Sequence, residues 1–197
     1  MADEPPKRHM THPLEHWPPS RRRRALVAVI AAAVVLQVVL TLLDGPLRAS
    51  DHGGTVPLEV AGSPGRATEI VSSWEADDVL GNGAFITGLD FLYAPLYAAA
   101  YAGGCIALAA AWRRRGRKRL AVLGIVAAWA ATAAAGFDYV ENVGLAVTLL
   151  DEPASPWPQI SLVAAVAKFG GIAAAVLYLL TGLGIRRASP HQPASGS

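Results

Sequence analysis

Apolar residues fill this chain in four long blocks, at 25–43, 84–112, 120–150 and 157–185, separated by shorter polar stretches. Each block can cross the hydrocarbon core of a bilayer, which takes about 20 residues as a helix. The first holds no charge and only Gln37 and Thr41 as polar interruptions; the other three each carry at least one ionisable residue. Lipid offers open strand edges no hydrogen-bond partner, so all four spans are predicted helical. The expected fold class is all-α, a transmembrane four-helix bundle.

The one sizeable element between spans is the segment 44–83. Its first half is rich in Gly and Pro and reads as loop. In the second half Ser63 and Pro64 form a helix start, with Pro near the first turn where its missing N–H costs little. Ala67, Ile70, Val71 and Trp74 then recur at helical spacing, with Gly81 and Gly83 expected to end the run. This predicts a short external amphipathic helix packed over the mouth of the bundle. Five prolines make residues 1–24 a predicted disordered leader, and His9, His12 and His16 there read as surface histidines rather than metal ligands. Residues 188–197 are expected to form a second tail. The apolar core of the first span exceeds the roughly 7–15 residues of a signal peptide, which favours an uncleaved anchor.

Composition agrees with the pattern. Apolar residues make up 53% of the 197 and charged residues 16%, against roughly 25% in soluble proteins. Mean hydropathy is +0.35. Cys105 stands alone, so no intramolecular disulfide forms. Fourteen of the 17 Lys and Arg residues fall in the two tails and between the second and third spans, with Arg48 and Arg66 in the opposite connections and Lys168 inside the fourth span. By the positive-inside rule both termini face the cytoplasm of a multi-pass cell-membrane protein. The run Arg113, Arg114, Arg115, Arg117, Lys118 and Arg119 is read as a topology determinant that also meets anionic lipid headgroups, and not as a nucleic-acid patch. Trp112 and Trp157 sit where aromatic anchors mark membrane boundaries.

The costly residues are Asp90, Asp138, Glu141 and Lys168, joined by Asn142. Each charge at the membrane centre costs about 2.5–3.5 kcal/mol, so four unpaired ones would cost roughly 10–14 kcal/mol. Counting at 1.5 Å per residue from the basic helix ends puts Asp90 about 34 Å, Asp138 about 28 Å, Glu141 about 33 Å and Lys168 about 27 Å along their helices. They are thus expected in one layer, near the outer face. Asp138, Glu141 and Asn142 stand at i, i+3 and i+4 on one helical face. Tyr93 and Tyr97 follow Asp90 on another, a stripe expected to line a polar crevice. Three carboxylates against one lysine leave a formal excess of two negative charges. That excess calls for a proton, a bound cation or a further base such as Arg48 or Arg66. Asp90 is also the best placed of the four to snorkel outward.

No phosphate-binding glycine loop, zinc-binding histidine helix or nucleophile elbow occurs, and no cofactor is called for. Three carboxylates with one amide are a conceivable metal site, of unknown occupancy. Gly103, Gly104, Gly170, Gly171 and the alanines of 127–135 let helices approach closely, which leaves room for a homo-oligomer or another membrane partner. The order of ATEIVSSW, LDFLYAPLY, FDYVENVG and AVAKFG over roughly 57–185 resembles a group of small four-span bacterial integral membrane proteins to which no activity is attached. The resemblance implies the same bundle and polar residues. The leading functional expectation is a crevice that binds or passes a cation, proton or small polar ligand. A structural or accessory subunit with register-fixing ion pairs is the alternative. A carboxylate-based membrane enzyme is weaker, so the reading leans away from catalysis.

Overall fold

The computed structural model describes residues 11–16, 18–151 and 156–188. Helix α1 is Pro19–Arg48, α2 Thr55–Glu59, α3 Pro64–Ala76, α4 Leu80–Arg114, α5 Lys118–Leu150 and α6 Trp157–Ala188. Among the described residues there is no strand. Four of these helices, α1, α4, α5 and α6, are long and apolar enough to cross a membrane. The protein is an all-α bundle of the multi-pass membrane type, with its apolar flanks in contact with lipid.

Each spanning helix includes its expected block and overruns it at one end or both. Hydropathy marks only the stretch that lipid tolerates, whereas the helix continues through arginines that favour it. In α1 it starts at Pro19, a first-turn position that suits proline. Helix α4 packs against α1 on one side and α5 on the other, and α6 packs on α5. The two kinds of contact differ in depth. Along α1, Val27, Val34, Val35, Val38 and Leu42 are all more than half exposed. Between α4, α5 and α6 lies an alanine-rich core around Cys105, Ile106, Ala109, Ile125, Ala128 and Ala131. Trp112 belongs to that core at 2% exposure, not to a lipid-facing belt, because its helix turns it inward against α5 and α6. Trp157 is half-buried at the opposite end.

The amphipathic helix forms as its spacing predicts. Ser63 Oγ accepts the Arg66 N–H at 3.3 Å as N-cap. Ala67, Ile70, Val71 and Trp74 are buried against Leu40 and Leu47 of α1, Ile86 of α4 and Leu145 and Leu149 of α5. Its end differs from expectation. Asp78 takes the left-handed conformation (φ 56°), the Val79 N–H reaches back to the Trp74 carbonyl at 2.8 Å, and the Asp78 N–H to that of Glu75 at 3.1 Å. This is the Schellman arrangement, which closes the helix without glycine. Gly81 and Gly83 instead lie in the first turns of α4, where Gly83 leaves space for the Trp74 ring.

Two further stretches depart from the sequence reading. Inside the expected loop, one helical turn (α2) forms because Asp44 Oδ1 accepts the Thr55 N–H at 2.9 Å. Arg48 Nε donates to the other oxygen of the same carboxylate at 2.5 Å. In the leader, residues 11–16 lie against the bundle. The Trp129 indole N–H donates to the Thr11 carbonyl at 3.2 Å, and His12 Nε2 is 3.2 Å from Thr132 Oγ1. The His12 ring sits 4.9 Å from that of Trp129, and His12 is only 5% exposed. Its aromatic and hydroxyl partners on α5 make it a docked residue rather than a surface histidine; His16 is exposed. Burial pushes the His12 imidazole below its ordinary value, opposed by Glu15. His9 and residues 189–197 lie outside the described residues.

Candidate functional site: a lysine among four carboxylates

The site lies at the end of the bundle capped by α2 and α3, and the packing of α5 on α6 positions it. Two glycines bring these helices together. A Cβ on Gly144 would stand 2.3 Å from Ser161 Oγ, and one on Gly171 would stand 2.7 Å from the Ala130 carbonyl oxygen. Gly144 follows Glu141 by three residues, and Gly171 follows Lys168 by three, so each glycine shares a face with one member of the pair. Helix α6 starts at the capped end, and side chains lean toward a helix N-terminus. Lys168 therefore reaches toward the cap.

Lys168 Nζ meets three carboxylates. It donates to Glu141 Oε1 at 2.8 Å and to Glu59 Oε2 at 3.4 Å, and it lies 3.3 Å from Asp138 Oδ1. The side chains of Glu141 and Asp138 are 0% and 1% exposed, that of Lys168 6% and that of Glu59 12%. Asn142 is fully buried and turned toward Asp90, without closing a hydrogen bond to it. The Tyr97 hydroxyl is likewise buried near Asp138 and unpaired. Asp90, half-buried, lines a cavity of about 230 Å³ together with Lys168, Glu59 and Tyr93. That vestibule rises past Gln37 and Thr41 to Asp44 and Arg48.

The expected residues thus fall into three groups. Asp138, Glu141 and Lys168 converge directly. Asp90 and Asn142 adjoin them, and Asp90 faces the vestibule rather than snorkelling into lipid. Tyr93 and Tyr97, with ring centroids 5.3 Å apart, adjoin the charges and also border a mostly apolar groove. The sequence reading missed Glu59. The expected excess of two negative charges called for a proton, a cation or a further base, whereas α2 adds a fourth carboxylate. The available signal was an acid held between Leu58 and Val60 in an otherwise polar, glycine-rich stretch. Neither expected base compensates it: Arg48 is held by Asp44, and Arg66 pairs with Glu69 at 2.9 Å on the exposed face of α3.

With all groups ionised, four carboxylates face one ammonium. Among the described residues no three acidic, histidine or cysteine side chains are grouped to hold a metal. Lys168 Nζ itself stands where a cation shared by Glu59, Asp138 and Glu141 would sit. The vestibule leaves room for a further positive group beside Asp90 and Glu59.

Fold and site together define a multi-pass membrane bundle with a buried acidic cluster. No family model, no curated protein and no solved structure matches the chain.

Proposed function

We propose that the chain is a cell-membrane protein with both termini in the cytoplasm, whose crevice opens outward beneath the α2–α3 cap and accommodates a cation or a proton. One observation carries this reading: three carboxylates meet a single buried lysine, and a fourth, Asp90, adjoins them on a vestibule that reaches the lysine. A proton on one acid or a cation beside Asp90 and Glu59 relieves the excess charge. The orientation rests on the arginines at 21–24, the six bases of 113–119 and Arg186 and Arg187 sharing one end. Those at 113–119 would also meet anionic headgroups. The motif-order resemblance adds a bacterial membrane to the reading.

The purified full-length chain tests it. Ethylammonium chloride is titrated against its thermal midpoint, with choline chloride as control for ionic strength. Ethylammonium should raise the midpoint of the wild type, and Asp90→Asn should abolish that rise while keeping the midpoint measured without it. A wild type indifferent to ethylammonium, whose midpoint also follows pH between pH 5 and pH 8 just as that of Asp90→Asn does, sinks the reading. The burial of Glu141 and Asp138, both remote from the vestibule mouth, favours a second reading in which these pairs only set helix register. Under that reading the Asp90→Asn variant behaves as wild type in every titration.

A further inference from the structure

A groove of about 420 Å³ runs along the outside of the bundle between α1 and α4, with Leu179 of α6 on its far wall. It is lined by Ile30, Ala33 and Val34 on α1 and by Tyr97, Tyr101 and Gly104 on α4. Gln37 and Tyr93 border both this groove and the acidic vestibule, so the two spaces adjoin. From Tyr93 to Gly104 the groove follows α4 for about 16 Å. That is roughly one leaflet of a hydrocarbon core about 30 Å thick. Tyr97, at its inner wall, is only 3% exposed.

We infer that the groove and vestibule together hold one lipid, its acyl chain along α1 and α4 and an ammonium-bearing headgroup beside Asp90 and Glu59. This rests on the cationic reading of the crevice and names its ligand class. The chain length follows from the groove, and the sign of the headgroup from the vestibule. Lys168 is shared by Glu141, Asp138 and Glu59, whose three charges its one ammonium does not offset, and Arg48 is held by Asp44. Glu59 and Asp90 then supply the uncompensated charge, so an anionic headgroup meets repulsion and an ammonium meets attraction. Helix α1, packed on α4 and otherwise exposed along its apolar face, gives such a lipid lateral entry from the bilayer.

The test uses the purified full-length chain and three probes: lysophosphatidylethanolamine, lysophosphatidylglycerol of the same chain length, and glycerophosphoethanolamine, which is the headgroup alone. Near saturation the first should raise the thermal midpoint by about 5–10 °C, the second should not, and the third, which lacks the acyl chain, should raise it by much less than the first. Gly104→Leu fills the groove: a Cβ there meets Leu179 Cδ2 at 3.4 Å, an ordinary contact. It should erase the lysophosphatidylethanolamine shift and keep the ethylammonium shift. If Gly104→Leu does not fold, Ala100→Leu on the same wall replaces it. Equal shifts with both lysolipids overturn the headgroup assignment. A response to ethylammonium with none to lysophosphatidylethanolamine overturns the lipid while the cation reading stands. Silence from ethylammonium and all three probes removes both.

Discussion

The two ends of this bundle handle charge in opposite ways. At the capped end ionisable side chains turn inward, and Lys168 and its three carboxylate partners are almost wholly enclosed. At the basic end the arginines stay outside; Arg113 remains half exposed even while paired with Glu15. Buried charges cost several kcal/mol each to desolvate and persist only with partners in good geometry. Exposed ones contribute little to stability. One end therefore constrains how the helices pack, and the other constrains which way the chain lies in a membrane.

The largest test of that contrast removes one base from each end. Lys168→Met leaves Glu59, Asp138 and Glu141 enclosed without an ammonium and should cost about 3–5 kcal/mol. Loss of folded protein on size-exclusion chromatography and a lowered thermal midpoint would report it. Adding Glu141→Leu and Asp138→Asn should restore much of the loss, because an apolar replacement of a buried ion cluster is often neutral. Arg113→Met should cost under about 1 kcal/mol. Comparable losses from the two single changes would erase the distinction between the ends.

A middling effect is expected where the site is braced. Gly171 abuts the Ala130 carbonyl, whereas a Cβ on the adjacent Gly170 meets nothing within 4 Å. Gly171→Leu should cost roughly 1–3 kcal/mol by prising α5 from α6. Gly170→Ala should be neutral or stabilise by up to about 1 kcal/mol, since alanine favours helix over glycine. Thermal midpoints of the two variants in one detergent decide it; a tolerated Gly171→Leu would mean that α6 is not held against α5 at the level of Lys168.

These elements also show what was legible in the amino-acid order. The spans were, because a bilayer sets both their length and their polarity. The convergence of Asp138, Glu141 and Lys168 was, because helical rise turns residue counts into depths and an unpaired charge in lipid is too costly to leave alone. Glu59 was not. It reaches the cluster through the Asp44–Thr55 bond, a contact between residues 11 apart in a stretch whose composition reads as loop. The apolar groove was equally invisible: the tyrosine stripe reads as polar from its hydroxyls, and only the packing of α1 decides what faces the rings. Trp112 misled for a related reason, since position near a helix end says nothing about the face a side chain occupies.

The smallest expected effect lies at the basic end, where the leader docks His12 against α5. Because burial lowers the His12 imidazole against an ordinary value of 6.5, the docked form prefers the neutral ring. Above pH 6.5 docked and undocked states are both neutral, and the docking is fully present. As pH falls through 6.5 the undocked state takes up its proton first, so docking weakens on the acid side. Glu15 opposes the shift, and the effect should therefore be modest. The readout is Trp129 fluorescence, taken as wild type minus Trp129→Phe, since the His12 ring lies 4.9 Å from that indole. Between pH 7.5 and pH 5 the difference signal should change reversibly, and His12→Gln should flatten it without altering the ethylammonium response at the other end. A pH transition that survives in His12→Gln and is absent from Asp90→Asn would belong to the acidic cluster instead, and the two ends would then be coupled rather than separate.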